Sequence, residues 1–288
     1  MNKPIESVVV VGGGAMGSGI ALSFAQAGFT TSILSRDPSR LTDLPRGVTA
    51  VSEPSPEPPD LAIEAVVEDI DVKNEVFARL EAAWGPTPIL ASNTSSLPLQ
   101  DMADRLKNPE RLIGVHYLHP AEALPIVEII RVAQTTDDVL ERTSAALKRT
   151  GKHSLVVLNQ PIVGFLINRL QHAILHEAYQ MIDRGLCTAE DVDNVAKWGL
   201  GPRMCVTGLI EQKDISGLDI HARSQRGIVP ELFLSREPAR VCQDLFDAGH
   251  YGVKTGKGFY DWTGRDVPAY RKKAADRLAR VLKVLQED

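Results

Sequence analysis

What the chain has little of narrows its class before any motif is read. Its three cysteines, Cys187, Cys205 and Cys242, are too few and too scattered for a disulfide framework or a metal cluster. Core packing is their expected use, no metal is expected, and the expected compartment is a reducing cytoplasm. Positive charge is not in excess: 32 lysines and arginines against 37 acidic residues leave a net charge of −5. Neither nucleic acid nor an anionic membrane is therefore an expected partner. No apolar run approaches the ~20 residues needed to span a bilayer, and the first strand pattern starts so early that no signal peptide is expected before it. Internal repeats are missing, and the one proline-rich stretch, residues 53–59, reads as a short stiff connector.

What is present is a core-forming composition, 43% hydrophobic over 288 residues, enough for one large domain and a smaller one. Up to about residue 158 strand patterns alternate with helical ones. Strands are expected at 8–11, 30–34, 62–67, 88–91, 111–115, 126–131 and 154–158, with a clear helix at 73–83. That alternation predicts a doubly wound, mostly parallel sheet. Asn159-Gln160-Pro161 breaks the pattern, and beyond it the apolar periodicity is helical, clearest at 165–184, 188–198, 238–248 and about 268–286. Two domains are expected: residues 1–160, an α/β sheet domain, and residues 161–288, an all-α domain.

The first strand carries the most informative motif. Val8 to Val11 run into Gly12-Gly13-Gly14-Ala15-Met16-Gly17 and then into an apolar, alanine-rich helix pattern. In this strand–turn–helix setting Gly12 permits the tight turn, Gly14 lets the backbone approach a pyrophosphate, and Gly17 lets helix and strand pack closely. The amides of the turn, through Ala15 and Met16, face the phosphates with the helix dipole behind them. A Rossmann-like dinucleotide domain follows as the expectation.

The tip of the second strand decides which dinucleotide. A carboxylate there would accept from a free ribose 2′-hydroxyl, whereas this chain has Ser35-Arg36-Asp37 with Arg40 close behind. Ser35 and Arg36 suit a 2′-phosphate, and Arg offers it paired donors. NADP is the expected cofactor; NAD is the alternative, in which Asp37 reaches the ribose and Arg36 is only a solvated charge.

Six segments then carry a resemblance. Residues 11–17, Ser92-Asn93-Thr94-Ser95-Ser96-Leu97, Gly114-Val115-His116-Tyr117, Ile126-Val127-Glu128-Ile129-Ile130, Gly164-Phe165-Leu166-Ile167-Asn168-Arg169-Leu170 and Lys254-Thr255-Gly256-Lys257-Gly258-Phe259-Tyr260 stand in the order found in the 3-hydroxyacyl-CoA dehydrogenase family. The chain resembles that family nearly end to end, with a helical domain like that of 6-phosphogluconate dehydrogenase. The resemblance implies hydride transfer between a nicotinamide and the carbon bearing a substrate hydroxyl, and a homodimer formed through the helical domain. It places Ser95 and Asn168 on the substrate oxygen, Glu68 near the nicotinamide ribose, and Lys73 and Asn93 among the cofactor residues.

The residues give this chemistry a reason. Taking hydride from a secondary alcohol requires a base for the hydroxyl proton, and an imidazole suits that task near neutral pH. His116 is the candidate. Glu128, twelve residues on and expected on the adjacent strand, can hold one ring nitrogen and stabilise the imidazolium. Fixed donors at Ser95 and Asn168 would orient the carbonyl and stabilise developing alkoxide charge.

Three departures from the family pattern bear on the substrate. The helical hairpin that clamps coenzyme A is replaced by residues 39–60, several of them proline. The motif after the histidine reads His116-Tyr117-Leu118-His119-Pro120 instead of ending Asn-Pro. The Met-Gly-Pro-Phe-Glu signature becomes Val206-Thr207-Gly208-Leu209-Ile210-Glu211, preceded by Arg203. These point to a small substrate without coenzyme A, its anionic group met by His119 or Arg203. Two other classes stay open: an orthodox 3-hydroxyacyl-CoA dehydrogenase, which would reduce acetoacetyl-CoA, and a non-catalytic crystallin-like NADP-binding protein, which would bind cofactor without turnover.

Overall fold

The computed structural model describes residues 3–41 and 44–286. They form two compact units, Met1–Arg169 and Leu170–Asp288.

The first unit is built on one eight-stranded sheet. In chain order its elements are β1 (Ser7–Val11), α1 (Ala15–Gln26), β2 (Thr30–Leu34), β3 (Val48–Val51), β4 (Leu61–Glu64), α2 (Ile70–Trp84), β5 (Ile89–Ser92), α3 (Leu99–Ala103), β6 (Leu112–Tyr117), β7 (Ile126–Arg131), α4 (Asp137–Arg149) and β8 (Ser154–Leu158). The spatial order is β3-β2-β1-β4-β5-β6-β7-β8, all neighbours parallel except β6 and β7. Because the order reverses between β1 and β4, the carboxyl ends of these strands open the crevice where ligands bind in such sheets.

The strands read as nearly unbroken apolar runs because both sheet faces are covered. Val8, Val10, Ile33, Ile63 and Val115 pack on one face with Ile20 and Phe24 of α1. Val9, Leu34, Ala62 and Leu90 pack on the other with Phe77 and Leu80 of α2. Two helices of this unit carry side-chain caps: Asp69 accepts from the amides of Asp71 and Val72, and Thr136 from that of Val139.

The structure departs from the sequence expectations at three places in this unit. The described residues of the connection from β2 to β4 hold a short 3-10 turn (Pro38–Arg40) and β3, an edge strand too short to show a period. β4 stops at Glu64 rather than 67, since the chain turns out of the sheet after Ala65 donates to Val11 O. The unit also extends to Arg169 rather than 160: Phe165 lies in the sheet core at 1% exposure, so the helix start travels with the sheet.

The second unit is helical. α5 (Ile167–Asp183) leads into it, followed by α6 (Ala189–Asn194), a π-turn segment (Val195–Leu200), α7 (Gly201–Thr207), α8 (Glu211–Ser216), α9 (Leu218–Ile228), α10 (Arg240–Asp247) and α11 (Val267–Val284). Thr188 and Asp191 form a reciprocal capping box at α6. The glycine-rich 254–260 segment folds as a tight turn that stacks Phe259 on Tyr179, with centroids 5.4 Å apart. Tyr260 donates to Asp193. Among the described residues of this unit only Ala178 and Ala239 are buried, while Trp198, Val206 and Leu234 are about four-fifths exposed. No helix of the described chain is long and apolar enough to cross a membrane.

Candidate active site

The glycine turn closes the carboxyl end of β1. Gly12 has φ +112°, and a Cβ there would stand 2.6 Å from Ala65 O; its amide donates to Leu34 O at 2.9 Å. A Cβ on Gly17 would stand 1.9 Å from Gly12 O, so the helix can sit this close to the turn only with glycine. Gly14 is the N-cap of α1, with no side chain on the end of the helix and nothing within 4 Å of where its Cβ would be. Ala15 is exposed beside it and Met16 half-buried. Open amides at a helix start, with a cradle that any side chain would fill, fit a dinucleotide pyrophosphate.

At the end of β2, Ser35 is half-buried and Arg36 exposed. Asp37 is already engaged: Arg40 Nε lies 2.9 Å from one carboxylate oxygen and Ser39 donates to the other at 2.5 Å. Its amide donates to Ser35 Oγ at 3.3 Å.

The ends of β4 and β5 are joined by a buried ionic network. Glu64 is fully buried and Lys73, reaching in from α2, is 1% exposed; Lys73 Nζ lies 2.6 Å from Glu64 Oε1 and 3.2 Å from Glu68 Oε2. Ser92 donates to Glu64 Oε2 at 2.7 Å, and the Val66 amide to Oε1 at 2.7 Å. Lys73 is thus turned into the protein, and what it holds is Glu64 and Glu68. Glu68 in turn organises the serine turn: its Oε1 receives Thr94 Oγ1 at 2.7 Å and the amides of Ser95 and Ser96 at 2.8 and 2.9 Å, with both serine hydroxyls within 3.3 Å. Burial alone would raise this carboxyl, but those donors and the Lys73 ammonium bring it down to about 2.

Asn93 ties the same turn to the next strand, its Oδ1 accepting from the Tyr117 amide at 2.8 Å. One residue earlier is His116. It faces Glu128 directly across the antiparallel β6–β7 pair, and His116 Nδ1 lies 2.7 Å from Glu128 Oε2. The histidine is 4% exposed and the glutamate fully buried. Glu128 Oε1 accepts from the amides of Leu166 and Ile167 at 2.8 and 2.9 Å, so its other oxygen sits on the first amides of α5. Burial pushes the Glu128 carboxyl up, but the His116 bond and the two amides outweigh it, and the group lies below the usual carboxylate range. With Nδ1 given to a carboxylate, Nε2 is the ring nitrogen left to take a proton.

Phe165 lies beside the imidazole. Its ring lies 5.3 Å from that of His116, and its φ of +46° is a left-handed conformation that a bulky residue rarely adopts. Strain of order 1–3 kcal/mol is held there by the buried ring and by the amides that follow it to Glu128. Asn168 stands in the first turn of α5, one residue past those amides, and its side chain makes no hydrogen bond among the described residues. Sequence reading missed Glu64 and Phe165. A carboxylate ending an apolar strand, Ala62-Ile63-Glu64, was the available signal for the first; nothing in the pattern marks the second.

His119 is exposed, two residues past the end of β6. Arg203, in the helical unit, has its guanidinium fixed when the Gln212 amide oxygen faces it, accepting from Nε at 2.7 Å and Nη2 at 3.0 Å. No group of three metal-ligating side chains occurs among the described residues.

Comparison with known proteins matches this chain to the family model for the 3-hydroxyacyl-CoA dehydrogenase NAD binding domain over residues 7–58 and 57–160, and to that for the C-terminal domain over 164–262. The 3-hydroxybutyryl-CoA dehydrogenase of Mycobacterium tuberculosis is 33% identical over 300 residues, spanning 91% of this chain and all of its own. A solved 5-formyl-3-hydroxy-2-methylpyridine 4-carboxylic acid 5-dehydrogenase, described as an NAD+ dependent dismutase, superposes with a TM-score of 0.92 at 26% identity, covering 98% of this chain and 99% of its own. The (S)-3-hydroxybutyryl-CoA dehydrogenase of Ralstonia eutropha superposes at 0.71 with 26% identity over 90% and 99%. With both family models matched in order, the chain belongs to the 3-hydroxyacyl-CoA dehydrogenase family and is a nicotinamide-dependent oxidoreductase acting on hydroxyl groups.

Proposed function

We propose that this enzyme interconverts a secondary hydroxyl and a ketone on a compact, carboxylate-bearing substrate that is not a coenzyme A thioester. The observation that carries the reading is the β2-to-β4 connection: between Leu34 and Leu61 the described residues hold only a 3-10 turn, the short β3 and the proline-rich connector. A flexible pantetheine arm adds affinity only where protein covers it. The closer superposition on a dehydrogenase of a pyridine carboxylate than on a coenzyme A enzyme supports the same reading. Steady-state kinetics on matched pairs, acetoacetyl-CoA against acetoacetate and larger free keto acids, test it; a higher kcat/KM for the thioester overturns it and returns the chain to the orthodox branch.

In the oxidative direction the bound nicotinamide supplies the hydride acceptor. His116 Nε2 takes the hydroxyl proton, Glu128 holds Nδ1 and the charge that develops on the ring, and Ser95 and Asn168 hold the substrate oxygen in line. The substrate's anionic group is met by His119 or by Arg203. Gly12, Gly14, Ala15, Met16 and Gly17 cradle the pyrophosphate. Glu68 fixes the serine turn beside the nicotinamide ribose, and Lys73 and Asn93 act through Glu68 and Tyr117.

The end of β2 favours NADP: its one carboxylate, Asp37, is occupied by Arg40 and Ser39, and Arg36 has no ion pair among the described residues. The solved relative is described as NAD+ dependent, so this is where the chain would part from it. The helical unit, with two buried residues among those described and broad apolar exposure, is proposed to form a homodimer. A monomer mass in sedimentation equilibrium at micromolar protein excludes that assembly.

A further inference from the structure

Lys152, in the connection from α4 to β8, is 2% exposed. Its ammonium is directed at one turn, donating to Ala121 O at 2.6 Å and Leu124 O at 2.7 Å, and lies 5.5 Å from the centre of the Tyr117 ring. Burial holds it below the usual lysine range, and Glu122, the charged neighbour acting on it, offsets this only in part. A buried cation costs several kcal/mol in lost hydration. An apolar filler would be cheaper, so a lysine is explained here only by what methylenes cannot do, which is to donate to two carbonyls of a single turn.

That turn is pressed against the cofactor helix from its other side. The amides of Ala123 and Leu124 both donate to Pro120 O at 3.2 Å. At Gly19 of α1 a Cβ would stand 3.1 Å from Ala121 Cβ and 2.6 Å from Glu122 Oε2. Glycine inside a helix costs about 1 kcal/mol relative to alanine. It is accommodated where another segment must lie close. The turn is therefore seated between α1 and Lys152, and His119 is the residue at its entrance.

We propose that Lys152 is a positioning residue: by clamping the 120–124 turn on α1, it sets where the His119 imidazole stands. This rests on the reading of His119 as a substrate contact. A displacement of about 1 Å at such a contact costs up to ~100-fold in rate. The experiment is a double-mutant cycle of Lys152→Met and His119→Ala, read as kcat/KM for the best keto acid at saturating cofactor, with the melting temperature alongside. Each single variant should lose about 10- to 100-fold, and Lys152→Met should cost less than about twofold more once His119 is alanine. Multiplying losses overturn the role of Lys152 while leaving that of His119 standing. A silent His119→Ala overturns both. Should Lys152→Met not fold, Lys152→Gln, which keeps a donor, enters the same cycle, and the same additivity decides.

Discussion

Glu128→Gln is the sharpest test of the proton-transfer reading, because the geometry dictates what the amide must do. Glu128 has three donors on its two oxygens: the Leu166 and Ile167 amides on Oε1, and His116 Nδ1 at 2.7 Å on Oε2. A glutamine can keep its single oxygen on the two amides, which are fixed by the start of α5. Its NH2 then faces Nδ1. With full burial there is no water to mediate, so the contact survives only if Nδ1 becomes an acceptor and the ring proton moves to Nε2. Nε2 is the nitrogen that must receive the substrate proton, and in that tautomer it has no lone pair to offer. A His–carboxylate pair altered in this way elsewhere loses about 10⁴-fold, and loss of a general base is worth about 10²–10⁴. The expected fall in kcat is therefore ~10²–10⁴, or about 3–5 kcal/mol of transition-state stabilisation. Single-turnover reduction of cofactor, followed by nicotinamide absorbance with a slow substrate, isolates the step. Cofactor dissociation constants should stay within a few-fold. A folded Glu128→Gln protein that keeps more than a tenth of its single-turnover rate refutes the tautomer argument.

Three further outcomes follow from other parts of the same unit. Burial would raise the Asp60 carboxyl, but bonds from Lys3, the Glu6 and Ser7 amides and the Ser7 hydroxyl bring it from 3.8 to about 2; that stability is present above pH ~4 and lost as pH falls through about 2, so Asp60→Asn should cost roughly 2 kcal/mol at pH 7 in urea melts and much less at pH 2.5, equal costs counting against it. Lys73→Met strands the fully buried Glu64 and should destabilise by about 3–5 kcal/mol, with Glu64→Gln added to it restoring part of the loss; a mild effect confined to cofactor affinity would mean that Lys73 serves the cofactor directly. Ser35→Asp with Arg36→Gln should reverse a preference for NADPH by removing a contact worth about 1.5–3 kcal/mol and adding a repulsive carboxylate, whereas equal affinity of the unmutated protein for both cofactors removes the premise.

The parts of this molecule legible in its sequence are those where one local rule decides. The Val8–Val11 run and its glycines announce their turn because two of the missing Cβ atoms answer a backbone clash, at Gly12 with Ala65 O and at Gly17 with Gly12 O, while Gly14 leaves its side of the helix start open. His116 and Glu128 could be paired in advance because two adjacent antiparallel strands with a short connection leave few registers, and theirs puts the two residues opposite each other. What stayed hidden depends on contacts distant in sequence. Glu68 meets the serine turn 26 to 28 residues away, and nothing around Glu68 says that five donors will converge on one of its oxygens. Residues 165–168 read as helix and therefore as part of the helical domain. Their allegiance is set by Glu128, 38 residues back, and by the Phe165 ring in the sheet core.

This distribution has a consequence for how substrate choice can change within such a fold. The groups proposed to handle the proton are fixed by strand register, by the start of α5 and by buried charge pairs, all of which are expensive to disturb. The connection between β2 and β4 obeys no such constraint. Its Pro-rich stretch is tied down by the buried Trp84, whose Nε1 donates to Ser55 O at 2.9 Å, and by the exposed Arg79 on Ser52 O and Glu53, a small set of contacts that a longer insertion could replace. Lengthening a loop costs only about 0.6 kcal/mol for each doubling. A helical clamp can thus be absent from or present on the same sheet without moving His116, Glu128 or the glycine turn. Specificity for an acyl carrier is separable from the chemistry, and under the proposed function a chain that keeps the His116–Glu128 bond, with only a 3-10 turn, β3 and the proline-rich stretch among the described residues between β2 and β4, would keep the reaction and release the carrier.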